Sequence, residues 1–335
     1  MASFEIGKIP HDLLEKLLTK VDIKDPRVVV GPQVGEDAAV LDMGAKYLVV
    51  TTDPITFTEE RIGWYCVNVN ANDIAVKGAV PLWFTATLLL PEKRADEDLV
   101  ESIFQDIYET CQLLNITLCG GHTEITGGLE RPILVGQMLG EVSKDQLVTL
   151  KRIRTGDRVL QTQSVAIEGT AILARDKEDV LLKKVDADWI DKAKKFLDHP
   201  GISVLKASSV ACRVASLHGM HDPTEGGITT ALWEMGQAGH CGLKIDGEAI
   251  PILPETQRFC EILGIDPLGL IASGTLLMVA APDECEKIKS ALFSEKIPCT
   301  DIGEIVPWEK GFTIYRKGSI HPLKPFERDE LAKIF

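Results

Sequence analysis

Positive charge is scarce in this sequence. Its 335 residues hold 36 Lys and Arg against 50 Asp and Glu, a formal net charge of −14. Phosphate backbones need cationic contacts, so nucleic acid is not an expected partner. Residues 1–150 carry −11 of that charge and residues 151–335 only −3, so the acid is concentrated in the first half. Solubility explains most of it, and holding metal cations is the sharper reading for some. Cysteine patterning is absent too. The eight cysteines (66, 111, 119, 212, 241, 260, 285 and 299) form no CxxC and no Cys/His set with zinc spacing. They read as free thiols in a reducing, cytoplasmic compartment. No basic segment followed by an apolar one opens the chain, so no secretory signal is expected. The longest apolar stretch, LGLIASGTLLMVAAP, falls short of the ~20 residues of a spanning helix, so no membrane partner is expected. Neither GxxxxGK[ST] nor a GxGxxG after a strand is present, which excludes the two commonest nucleotide-binding loops.

What is present is a soluble, globular composition long enough for two domains. PHDLLEKLLTKV carries a helical stripe. YLVVTTD (47–53) and LWFTATLLLP (82–91) read as strands. Between them, ERIGWYCVNVNANDIAVKGAVP reads as a helix stopped at Gly78. A second helix follows Asp96, a good N-cap. ITLCGG and RPILVGQMLGEV read as strands. Around 143–157 the chain turns polar and basic, which sets the domain boundary: 1–150 and 151–335. In the second half DRVLQTQSVAI, CGLKID, GTLLMVAA and GFTIYRKG read as strands. DWIDKAKKFLD, KASSVACRVASLHG, GGITTALWEMGQAG and DECEKIKSALFSE read as helices. Each half mixes both types, an α+β or α/β class.

Four acid- or amide-bearing sites of the first half fall within or at the ends of predicted elements. Glu36-Asp37 enters a strand, Asp53 leaves one, Asn68, Asn72 and Asp73 share a helix, and Gly120-Gly121 leads into His122, Thr123 and Glu124. Singly, each has a bland reading: a turn acid, a polar helix face, a structural histidine. Carboxylates converging at one sheet edge repel, and a divalent cation compensates them. Mg²⁺ takes one or two carboxylates and completes its shell with water and phosphates, so magnesium with a polyphosphate is the expected ligand. In the second half, Asp222 precedes Pro223, and Gly226-Gly227 opens a helix whose N–H groups suit an anion. The bland alternative is an ordinary turn capped by Thr224.

In order, VGEDAAV, VTTDPITF, NVNANDIAVKGAVPLW, GGHTEIT and HDPTEGGITTALWE resemble the motif series of the aminoimidazole ribonucleotide (AIR) synthase superfamily, over roughly residues 5–320. GKIPHDLLEKLL and HDPTEGG look closest to its HypE branch. The resemblance implies a PurM-like pair of domains. The N-terminal α/β domain would pair with its twin, a homodimer closing an eight-stranded barrel from two four-stranded sheets, beside a C-terminal α+β domain. It implies ATP and Mg²⁺, with Asp37, Asp53, Asp73 and Asp222 on the metal side, and Thr52 and Asn72 assisting. Gly120, Gly121, Thr123, Gly226 and Gly227 would approach the phosphates. His122 or Glu124 would move a proton. The implied chemistry is γ-phosphoryl transfer to an amide or carbonyl oxygen, linked to hydrogenase or metallocentre maturation and its maturation proteins. HypE proteins end in a cysteine that carries a carbamoyl group. The last cysteine here is Cys299, so that reaction on the chain's own tail is not expected. A thiamine-monophosphate-kinase-like small-molecule kinase and a non-catalytic nucleotide-binding assembly partner are the alternatives.

Overall fold

The computed structural model describes residues 7–56 and 58–334, and the chain forms two compact units. One comprises Ile23–Gly31 and Asp37–Leu147. The other comprises the residues up to Asp22, Pro32–Glu36 and Val148 onward. The chain therefore visits the second unit three times. Helix α1 (His11–Leu18) belongs to that unit.

The first unit is a six-stranded sheet in the order β1-β2-β3-β6-β4-β5. Its strands are β1 (Val28–Val30), β2 (Ala39–Asp42), β3 (Lys46–Ile55), β4 (Val80–Pro91), β5 (Thr117–Thr126) and β6 (Ile133–Ser143). All neighbours run antiparallel except β4 and β5. Helices α2 (Ile62–Ala75) and α3 (Glu97–Leu113) supply its α layer. As the sequence predicts, the Asp96 side chain caps α3, accepting from Leu99 N at 2.9 Å. Strand β6 shows why α2 lies so close. Its buried positions alternate as Leu134, Gly136, Met138, Gly140 and Val142. A Cβ on Gly136 would meet Asn70 Nδ2 at 2.5 Å, and one on Gly140 would meet Ile74 Cγ2 at 2.4 Å. The two glycines make the groove into which the Cys66–Asn70–Ile74 stripe of α2 fits. On the other face Ile133, Val135 and Leu139 stay half-exposed.

The second unit holds a seven-stranded sheet, β13-β12-β9-β11-β7-β10-β8. Its strands are β7 (Arg158–Thr162), β8 (Gly219–His221), β9 (Gly242–Asp246), β10 (Leu277–Ala280), β11 (Cys299–Val306), β12 (Phe312–Arg316) and β13 (Ser319–Pro322). Its further helices are α4 (Ile167–Asp176), α5 (Glu178–Leu181), α6 (Ala187–Lys194), α7 (Leu205–Val214), α8 (Gly227–Ala238), α9 (Pro254–Leu263) and α10 (Cys285–Ser294). β10 is buried at every position, as an inner strand covered on both faces must be. The strand expected through DRVLQTQSVAI stops at Thr162. Gln163 and Ala166 turn left-handed (φ 57° each), and α4 starts instead. Strands β8, β11 and β13 and helices α5 and α9 also went unanticipated. Gly35 shows why Pro32–Glu36 groups with this unit. It has φ +85°, and a Cβ there would meet the Glu234 carbonyl oxygen of α8 at 2.6 Å.

Candidate functional site

The acids of the first unit gather around the second half of β3, where α2 crosses it. Thr51 is the hub. Its Oγ1 lies 2.7 Å from Asp73 Oδ2 and 3.0 Å from the Asp37 carbonyl oxygen. Three residues before Asp73, Asn70 grips the backbone of Asp53 from both sides: Oδ1 accepts from Asp53 N at 3.0 Å, and Nδ2 donates to Asp53 O at 3.2 Å. Asn70 Nδ2 also donates to Cys66 O at 2.8 Å. This fixes Asp53 on the strand beside Thr51. The polar positions of α2 are not a solvated face: Asn68, Asn70, Asn72 and Asp73 are all buried. Such burial requires partners. Asn72 is wholly buried, so the structure leaves it no surface for a ligand to touch, against the expectation that it contacts the cofactor.

Glu36-Asp37 at the mouth of β2 has a compensating charge inside the chain. Lys77, just past α2, is 1% exposed and places Nζ 3.8 Å from Asp37 Oδ2. The cation expected from a metal is thus partly a lysine. A buried ammonium keeps its charge only beside an opposite one. The sequence carried the signal, since Lys77 stands four residues after Asp73, just past the helix that carries it. Among the described residues of this unit, no three His, Cys, Asp or Glu side chains bring ligand atoms within 4.8 Å of one another. Asp37, Asp53 and Asp73 therefore do not form a closed three-carboxylate cage. Asp37 and Asp53 keep partial exposure, whereas Asp73 is buried behind Thr51. An oxygen-only, open donor set of this kind fits Mg²⁺, which keeps several waters and phosphate oxygens. Thr52 is exposed and donates its hydroxyl to Gly136 O at 2.8 Å.

GGHTEIT departs from the sequence expectation. It is no loop after a strand. Pairing with β4 continues through it, so Gly120, Gly121, His122, Thr123 and Glu124 all lie within β5, exposed at the sheet edge. A Cβ on Gly121 would meet the Ala86 carbonyl oxygen at 2.1 Å, which is the local reason for glycine there. His122 Nε2 and Glu124 Oε2 are 3.3 Å apart. Asp53 pairs with Gly136, Gly136 with Ala86, and Ala86 with Gly121. Three strand spacings, about 14 Å, therefore separate this segment from Asp53 within the chain. His122 and Glu124 are not beside the acids they were expected to serve.

In the second unit, Asp222 follows β8 and is 2% exposed. Gly226 (φ +77°) and Gly227 (φ +65°) make the left-handed entry to α8 that only glycine takes without strain. A Cβ on Gly227 would meet the Leu268 carbonyl oxygen at 2.5 Å. Thr224 does not cap the helix by its side chain. Its carbonyl oxygen accepts from Gly227 N and Ala272 N. The side chain that reaches the turn is Asp329, whose Oδ2 accepts from Gly226 N at 2.7 Å across 103 residues. No local pattern announces this contact.

Two family patterns match this chain. The one described as AIR synthase related protein, N-terminal domain, covers residues 35–142, and its C-terminal-domain companion covers residues 154–316. The chain belongs to the AIR synthase related protein family. Among family relatives, a putative hydrogenase expression/formation protein of Methanocaldococcus jannaschii is 29% identical over 84% of this chain and 82% of its own length. The carbamoyl dehydratase HypE of Rhizobium leguminosarum bv. viciae is 28% identical over 79% and 75%. A crystal structure of the hydrogenase maturation protein HypE in complex with ATP superposes with a TM-score of 0.73 at 21% identity, covering 94% of this chain and 95% of that one. The chain thus has the two-domain PurM-like fold. No helix among the described residues is long and apolar enough to cross a membrane.

Proposed function

We propose that this AIR synthase related protein is an ATP- and Mg²⁺-dependent enzyme of the HypE type, which activates an amide or carbonyl oxygen by γ-phosphoryl transfer during hydrogenase or related metallocentre maturation. The observation that carries the reading is the open oxygen-donor set of Asp37 and Asp53, backed by buried Asp73, Thr51 and Lys77. The carbamoyl dehydratase relatives and the HypE–ATP structure support it. Bound Mg²⁺ and ATP would supply a transferable phosphoryl group with its charge neutralised. Asp37 and Asp53 would hold the metal. Thr51 and Asn70 fix the strand that presents them, and Lys77 sets an opposite charge 3.8 Å from Asp37. Asp222 and the Gly226-Gly227 turn belong to the other unit, where Gly226 N donates to Asp329 and Gly227 N to the Thr224 carbonyl oxygen. Positioning of this kind, rather than covalent chemistry by the protein, is what phosphoryl transfer requires.

We also propose the homodimer. The half-exposed face of Ile133, Val135 and Leu139 and the edge strand β5, with Leu118 and Ile125 exposed, are the surface it would cover. His122, Thr123 and Glu124 would then face the partner subunit rather than the acids of their own chain. Phosphate release from ATP, followed over a panel of amide, carbamoyl and alcohol acceptors, tests the activity. Phosphate freed only with an amide or carbamoyl acceptor supports it. A stable phosphorylated alcohol would favour a kinase instead.

A further inference from the structure

Within the second unit, helices α6 and α9 are joined by a salt bridge, Lys192 Nζ to Glu255 Oε1 at 2.5 Å. Trp189 stands one turn before Lys192, and Arg258 one turn after Glu255. The segment 182–186, between α5 and α6, supplies a third side. Its backbone is anchored: Lys184 N and Val185 N both donate to Leu181 O, at 2.8 and 3.0 Å. These three elements border an open cavity of about 430 Å³, within the range of small-ligand sites.

The charges of this cavity run against the acidic balance of the chain. Lys183, Lys184 and Arg258 line it with one acid, Asp186, a balance of +2. Lys183 and Lys184 are exposed and, among the described residues, make no ion pair. Two neighbouring lysines are committed, Lys192 to Glu255 and Lys194 to Glu178 at 2.7 Å. Arg258 meets Glu261 at 3.5 Å, an exposed pair of the kind that holds its members weakly. Asp186 precedes α6 without capping it by its side chain, so its carboxylate stays available as an acceptor. The rest of the lining is apolar: Leu182 is 48% exposed, and Val185 and the Trp189 indole are half-buried.

An indole face beside unpaired ammonium groups suits a ligand with a flat ring and negative charge. A phosphate monoester carries about −1.5 to −2 at neutral pH, which matches the balance of +2 better than a single carboxylate does. An ionised Asp186 only accepts, so it calls for a donor between ring and phosphate, and a ribose hydroxyl is one. We propose that this cavity binds a mononucleotide: the base stacks on Trp189, the phosphate takes Lys183, Lys184 and Arg258, and Asp186 accepts from the sugar. The site uses no metal and none of the acids of the first unit, so it stands apart from the phosphoryl-transfer reading.

The test is calorimetric titration of the full chain with AMP, UMP, adenosine and inorganic phosphate, in EDTA at low salt. The proteins are wild type, the Lys183→Ala, Lys184→Ala double variant, Trp189→Ala, and the Asp37→Asn, Asp53→Asn double variant. Wild type should bind at least one of the two mononucleotides with a Kd below about 1 mM. That mononucleotide should bind at least tenfold more tightly than adenosine or phosphate. The lysine variant should lose at least tenfold in affinity, and Trp189→Ala at least about fivefold, as removal of a stacking ring does. The variant of Asp37 and Asp53 should bind as wild type does. A Kd above about 1 mM for both mononucleotides overturns the proposal, and so does equal affinity in wild type and the two cavity variants. Phosphate binding as tightly as the mononucleotide removes the ring from the account and overturns it too. Loss of binding in the Asp37 and Asp53 variant alone assigns the nucleotide to the first unit and overturns it as well.

Discussion

The two units solve one problem, a polar group at the mouth of a secondary element, with partners drawn from different distances along the chain. In the first, Asp37 and Asp73 meet Thr51 and Lys77, all between residues 37 and 77. In the second, the glycine turn at Gly226 is completed by Asp329, a century of residues later. Local compensation ties the first centre to β3 and α2, which carry Thr51 and Asp73. Distant compensation ties the second to one short segment near the end of the described residues. The difference separates a centre closed by near neighbours from a turn closed by a distant side chain.

The sharpest way to break the contrast is at Asn70. Asn70→Ala strands the Asp53 N–H and the Asp53 carbonyl oxygen. It should cost about 2–3 kcal/mol. Urea unfolding should show this loss. Next comes Lys77→Ala, which removes the buried ammonium beside the partly exposed Asp37, and losing a charged partner of this kind costs about 1–3 kcal/mol on the same assay.

In the second unit the effect is one of pH. Burial pushes Glu168 up to about 7 and Asp329 up to about 6, with Glu225 adding repulsion to both. Acids raised in the folded state stabilise it most when protonated. Their contribution is full below their ordinary values of 4.5 and 3.8 and is lost as pH rises through 7 and 6. Stability of this unit should therefore fall by about 2 kcal/mol from pH 5 to pH 8 on account of Glu168, and Glu168→Gln should flatten that slope. The smallest effect belongs to His122→Ala. On an exposed edge it should change stability by less than about 0.5 kcal/mol.

The same contrast explains what could be read from the sequence. The alternation of element types, the Asp96 cap and the glycine entry to α8 were legible because each depends on neighbours a few residues away. Asn70 was legible in principle, since it falls four residues after Cys66 on the apolar stripe of α2, where an amide must be buried. GGHTEIT misled, because two glycines read as a turn when they permit close strand pairing. Asp329 was beyond reach: an acidic segment such as FERDEL (326–331) looks solvated, and only the fold brings this one to Gly226. Asp37 stands just before β2 as expected, whereas Asp53, expected to leave its strand, lies within β3, which runs on to Ile55; the expected metal cradle had also left out the lysine already present.

The central claim is that Asp37 and Asp53 hold the metal on which nucleotide binding depends. Its direct test is calorimetric titration of Mg²⁺·ATP into wild type and into the Asp37→Asn, Asp53→Asn double variant, with circular dichroism confirming that both are folded. The account predicts binding by wild type and an affinity at least tenfold weaker in the double variant. Equal affinity in the two would contradict it.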